Sequence, residues 1–141
     1  DLHSFPTRRS SDLSIRMKAA QETGNAVCDF LKQRPEVEHV LHVGDSDYDQ
    51  KELRDRQMSG TSSLLSFRPK VQDFERLKQF VHDLEIFQIG VSWGGFESLA
   101  LPIPLKPGDE PSDWVIRLYC GLEDPVDLCK SLATSLEKNL R

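Results

Sequence analysis

At 141 residues the chain has the length of one ordinary domain, enough for a hydrophobic core. Hydrophobic residues make up 38% and charged residues 29%, the balance of a soluble globular protein, and a net charge of −5 argues against nucleic acid, which needs a basic face. No apolar run approaches the ~20 residues that span a bilayer, and the three cysteines, Cys28, Cys120 and Cys129, lack zinc-type spacing and read as reduced, buried thiols of a cytoplasmic protein.

The first segment, HSFPTRRSSDL at 3–13, is polar and stops where a helical pattern begins. It resembles the translation of a sequencing-library adapter, so residues 1–13 are set aside as a non-native, disordered segment and 14–141 are taken as the domain. That reading implies a protein that begins further upstream.

From Ser14 the pattern is helical: Met17, Ala20, Gly24, Val27 and Leu31 share one face, and Pro35 marks the end. VEHVLHV (37–43) predicts a strand, with His39 and His42 on its surface, since no third metal ligand follows at useful spacing. The polar stretch 44–60 predicts a loop with a short surface helix; its acids at 45, 47 and 49 have only a faint likeness to a calcium loop, and a solvated loop is the better reading. TSSLLSF (61–67) predicts a second strand. Val71, Phe74, Leu77, Val81 and Leu84 mark an amphipathic helix.

IFQIGVS (86–92) and ESLALPI (97–103) predict two strands whose connection is too short for a parallel crossover, hence an antiparallel pair. A Pro-rich loop follows. WVIRLYC (114–120) is the clearest strand, with Trp114, Ile116, Leu118 and Cys120 on one face and Val115, Arg117 and Tyr119 on the other. The last helix opens at EDPVD, with Asp124 as cap, Pro125 in the first turn and Leu128, Leu132, Leu136 and Leu140 as its buried stripe. The sum is α/β: a two-layer sandwich, a largely antiparallel sheet with helices mainly on one face.

Two features invite chemistry. Arg117 is a cation in the middle of an apolar strand: either a sheet-surface arginine beside an acid, or a planar fork for a ligand carboxylate. In IGVSWGGFESLALP (89–102), the largest side chain, Trp93, stands beside Gly94 and Gly95. This is either a bulge whose glycines absorb strain or a place where main chain approaches a ligand, with Ser92 offering hydrogen bonds and Trp93 a wall. The residues alone leave both pairs of readings open.

In combination, IGVSWGGFESLALP, the Pro-rich loop and VIRLYCGLEDPVDL closely resemble the C-terminal end of the Cys/Met-metabolism family of pyridoxal-phosphate enzymes. The likeness extends back through GNAVCDFLKQRPEVEHVLHVG and MSGTSSLLSF, covering about 16–138. Trp93 after Ser92 is similar to the bacterial cystathionine β-lyase branch; γ-synthases and γ-lyases more often carry Leu there. Ser63 stands where the family often has Gly, HVGDSD lacks the usual His-Pro, and Cys120 precedes Gly-Leu-Glu-Asp, which blurs the branch more than the family.

The resemblance implies that Arg117 binds the substrate α-carboxylate and that Ser92 and Trp93 line the same pocket, Ser92 helping to seat the carboxylate. It implies pyridoxal 5'-phosphate held by an upstream domain, an amino-acid thioether substrate and a homo-oligomeric full enzyme (dimer or tetramer). None of the eight lysines falls in the family's Schiff-base motif, so this stretch alone is expected to be inactive. The alternatives are γ-elimination or γ-replacement, an aminotransferase-like relative, and a non-catalytic amino-acid-binding or interaction module.

Overall fold

A computed structural model describes residues 12–106 and 113–141. The adapter-like segment lies outside them except for Asp12 and Leu13, as does much of the Pro-rich loop.

Helix α1 (Leu13–Lys32) buries Ala20, Thr23, Gly24, Val27, Cys28 and Leu31. Met17, expected on that face, is exposed, and burial on α1 begins only at Ala20. Gly24 is where the helix meets main chain: a Cβ there would sit 2.8 Å from the Ser62 carbonyl and 2.9 Å from Ser63 Cα. Strand β1 (Val37–Leu41) follows, then the short helix α2 (Lys51–Gln57), which buries nothing. Asp45 and Asp47 both pair with Lys32, at 2.7 and 2.9 Å, so these acids of the polar loop serve to fasten it to α1. His42 is not a surface residue: the strand ends before it, and its buried ring lies 3.1 Å from the Ser62 carbonyl, to which Nε2 donates.

Strand β2 (Leu64–Pro69) leads to helix α3 (Phe74–His82), capped by Asp73, whose carboxylate accepts from Arg76 N at 2.9 Å. Leu77, Phe80 and Val81 carry its buried face. Phe74, assigned to that face by periodicity, is exposed in the first turn and stacks on Trp114 with centroids 4.4 Å apart. Strands β3 (Gln88–Ile89), β4 (Leu99–Pro104) and β5 (Trp114–Tyr119) precede helix α4 (Pro125–Asn139). Asp124 caps α4 through Val126 N at 2.8 Å, and Leu128, Leu132, Leu136 and Leu140 are all buried.

Among the described residues the strands form one sheet in the order β1-β2-β5-β4-β3. Every pairing is antiparallel except β3 with β4, which is parallel. The antiparallel expectation for that pair is therefore corrected. The chain leaves the sheet at Gly90, crosses back through 90–98, and pairs again for only two residues, Gln88 with Leu99 and Ile89 with Ala100. A long parallel ladder would need a longer crossover; so short a pairing does not.

The core lies on one face. Leu65 and Phe67 of β2, Ala100 of β4 and Ile116, Leu118 and Cys120 of β5 and its end meet Val27, Leu31, Phe80, Leu128, Leu132 and Leu136 from α1, α3 and α4. The architecture is the expected two-layer α/β domain. Two departures from the family pattern meet in it: buried Ser63 Oγ donates to the Cys120 carbonyl, and Cys120 N donates to Ser63 O at 3.2 Å.

Candidate functional site

Val115, Arg117 and Tyr119 point to the face opposite the helices, as alternation along β5 requires. There the loop 90–98 folds back over the strand. Arg117 Nη2 donates to the carbonyls of Val91 at 2.5 Å and Ser92 at 2.9 Å. Its guanidinium carbon lies 5.3 Å from the centre of the Trp93 ring, a cation–π contact. Tyr119 Oη donates to the Gly95 carbonyl at 3.0 Å, and Arg16 of α1 reaches across to donate to the Gly94 carbonyl at 2.7 Å.

All three expected site residues thus come together, but not in the expected way. Ser92 meets Arg117 through its main-chain carbonyl; its hydroxyl makes no hydrogen bond among the described residues. Trp93 is 65% exposed, with one side toward Arg117 and much of the ring open to solvent. The glycines earn their place differently. Gly94 has φ of +82°, a left-handed conformation that side-chain-bearing residues rarely adopt, and this reverses the chain behind Trp93. Among the described residues no carboxylate pairs with Arg117.

The geometry sets a chemical condition. Both forks of a guanidinium, Nε–Nη2 and Nη1–Nη2, include Nη2, and here two loop carbonyls accept from that nitrogen. A carboxylate can take a two-point hold on Arg117 only by displacing one of them. A bidentate ligand and the seating of the loop are therefore coupled.

Three supports were not singled out in the sequence. Tyr119 was visible in principle, two residues from Arg117 on the same strand face. Glu123 lies in the Gly-Leu-Glu-Asp run, where it reads as a lead into the helix. Arg16 is 78 residues from its partner Gly94, and no local pattern announces such a contact.

The cysteines do not make a second reactive centre. Burial pushes the Cys28 thiol up to about 11 and raises Cys120 and Cys129 as well, so all three are poor thiolates. No helix among the described residues is long and apolar enough to cross a membrane.

The chain belongs to the family described as Cys/Met metabolism PLP-dependent enzyme, which matches residues 7–137. Two of its relatives are lyases: a cystathionine gamma-lyase of Dictyostelium discoideum, 33% identical over 136 residues, and a cystathionine beta-lyase of Bordetella avium, 34% identical over 134. An L-alanine/L-glutamate racemase of Wolbachia pipientis wMel is 35% identical over 133 residues. Each match takes in 89% of this chain but only 33–35% of the relative, so the chain spans about a third of their length.

The family's cofactor is pyridoxal phosphate. The described residues do not make a site for it. A Schiff-base lysine must be able to lose its proton in a sheltered place. Lys18, Lys32, Lys78, Lys130 and Lys138 are instead paired with carboxylates, and Lys51, Lys70 and Lys106 are exposed. Lys32 is held more firmly in its charged form by hydrogen bonds to Asp45 and Asp47.

Proposed function

We propose that this chain is the substrate-carboxylate-binding domain of a pyridoxal-phosphate-dependent carbon–sulfur lyase acting on an amino-acid thioether such as cystathionine. The observation that carries it is the guanidinium of Arg117, set on the sheet face opposite the helices with Trp93 against it and, among the described residues, no carboxylate paired with it. A planar cation with an aromatic wall fits a carboxylate attached to an apolar or sulfur-bearing chain. The cofactor, its Schiff-base lysine and the proton chemistry belong to a region beyond this chain, and this stretch alone does not turn over substrate. The full protein is taken to be a cytoplasmic homo-oligomer.

Trp93 favours β-elimination, in which the thiol leaves from Cβ and hydrolysis gives pyruvate and ammonia. The gamma-lyase relatives favour elimination at Cγ. The two differ in product: pyruvate and homocysteine from cystathionine in the first case, 2-oxobutyrate and cysteine in the second.

The test is an NMR titration of the 141-residue chain with propionate and, separately, propionamide. The shifts to follow are those of Arg117 Nε–H, Trp93 Nε1–H and the Val91–Gly95 amides. Propionate should move these signals and propionamide should not. Arg117→Lys keeps the charge but loses the fork. It should weaken propionate binding about tenfold, equivalent to about 1.4 kcal/mol, and Arg117→Ala should erase the preference for the acid. Equal response to acid and amide in the parent chain would overturn the site. A stoichiometric borohydride-trapped adduct of pyridoxal phosphate at one lysine would overturn the placement of the cofactor elsewhere.

A further inference from the structure

Loop 90–98 is fastened at its far end by a carboxylate that no part of the carboxylate-binding reading uses. Glu123 Oε1 accepts from the main-chain N–H of Ser98 at 2.9 Å, and Oε2 accepts from the Ser98 hydroxyl at 2.8 Å. The same hydroxyl oxygen accepts from Gly121 N at 2.8 Å, and the Ser98 carbonyl accepts from Gln88 N at 2.8 Å. Ser98 is wholly buried, and its N–H, hydroxyl and carbonyl are all engaged. Because Gln88 lies just before the loop and Ser98 closes it, this knot holds both feet of the loop together.

The same segment grips the loop from below. Leu122 N donates to the Phe96 carbonyl at 2.8 Å, and a Cβ on Gly121 would lie 2.1 Å from that oxygen, which no side chain permits. The run Gly121-Leu122-Glu123 is thus shaped around the end of the loop that carries Ser92 and Trp93. We propose that Glu123 is a positioning residue. Acting through Ser98, it fixes the loop so that the Val91 and Ser92 carbonyls and the Trp93 ring meet Arg117.

This rests on the reading of Arg117 as the carboxylate site, and the two are coupled by chemistry. When a carboxylate takes Nη2 of Arg117, the loop loses one of its two ties to the guanidinium. The Glu123–Ser98 knot then keeps Trp93 at the site while the carbonyl gives way.

The test compares the parent chain with Glu123→Ala, Glu123→Gln and Ser98→Ala by NMR. The primary readout needs no ligand: the ring-current shift that Trp93 imposes on the Arg117 side-chain protons. The second is propionate affinity. Glu123→Ala should lose most of the ring-current shift and bind propionate at least fivefold more weakly, while α4 and core amides keep their shifts. Glu123→Gln keeps an acceptor for Ser98 N but presents an N–H₂ to a hydroxyl that needs an acceptor, so it should fall between. Ser98→Ala keeps the main-chain tie and should also fall between, and these two decide the matter if Glu123→Ala does not fold.

A purely structural role predicts lowered thermal stability with the ring-current shift intact. A shift and a propionate affinity within twofold of the parent in the folded variants would overturn the proposal. Should the parent ignore propionate, the carboxylate reading of Arg117 fails, and the ring-current comparison still decides Glu123.

Discussion

On the helix-covered face of the sheet, Phe67, Ile116 and Leu118 are buried among apolar side chains from three helices. On the opposite face, one residue along the same strand, Arg117 meets two main-chain carbonyls and an indole. Residues of the first kind hold their place because burying each apolar side chain is worth about 1.5–3 kcal/mol, whatever the neighbour's identity. Those of the second hold theirs through directional contacts, each worth far less and each dependent on a particular atom. One face is thus tolerant in detail and costly in bulk, and the other is the reverse.

That contrast can be attacked first where the expected effect is largest. Phe67 is fully buried and packs edge-on against Phe80 with ring centroids 5.9 Å apart. Phe67→Ala should cost about 3–5 kcal/mol in urea unfolding. Its folded fraction should retain the Trp93 ring-current shift on Arg117, because the loop is held by Ser98, Tyr119 and Arg16 from other directions. Loss of that shift in the folded fraction would show that the two faces are not independent.

The second attack is at the rim of the core, where the distinction blurs. Glu36 is nearly fully buried, and Arg34 holds both of its oxygens at 3.1 Å, with Arg141 at 3.7 Å. Burial, the largest single influence, would raise the Glu36 carboxyl. The Arg34 hydrogen bonds, a main-chain hydrogen bond from Glu36 itself and the charges of Arg34 and Arg141 together outweigh it and hold the group below its ordinary value. A depressed carboxyl stabilises the fold above its unfolded pKa of ~4.3. That contribution disappears as pH falls through the lower, folded value. Arg34→Ala leaves the carboxylate buried with its own main-chain N–H and the longer Arg141 contact and should cost about 3 kcal/mol at pH 7. In the variant burial prevails, the Glu36 carboxyl moves up, and the deficit should narrow as pH drops below ~5. A deficit unchanged from pH 7 to pH 4, measured by urea unfolding, would show that Glu36 is not what Arg34 supports.

The same contrast governs what could be read from the residues. Helix α4 was legible to its cap, because Asp124, Pro125 and four leucines at spacing four each encode a local rule. Arg117 was legible as an anomaly, since a cation in an apolar strand breaks the alternation around it. The Arg117 contacts were not, because main-chain carbonyls have no letter in a sequence. Phe74 misled for a related reason: periodicity places a residue on a helical face but does not say whether the sheet extends beneath the first turn. The parallel pairing of β3 with β4 was missed because the crossover rule concerns full ladders, and this one is two residues long. Likewise, His42 was read by strand alternation beyond the point where the strand stops.

The smallest expected effect is also the most discriminating. Trp93 is largely exposed, so its stacking on Arg117 contributes only about 0.5–1 kcal/mol. At about 1.4 kcal/mol per tenfold that is roughly a two- to fivefold change in an equilibrium. Trp93→Leu removes the ring but leaves Gly94's left-handed turn, the Tyr119 and Arg16 ties to the loop, and the Ser98 knot. Global stability should change by less than about 0.5 kcal/mol, as for a surface substitution, and propionate should bind two- to fivefold more weakly while still being preferred to propionamide. The preference resides in the guanidinium, whose charge and hydrogen-bond donors only the acid can use fully; the ring adds shelter and orientation. If Trp93→Leu erased the acid preference as fully as Arg117→Ala, the ring would be doing more than shielding. The loop would then need Trp93 to hold the guanidinium in place, and the carbonyl contacts of Val91 and Ser92 would be consequences of that stacking rather than its frame.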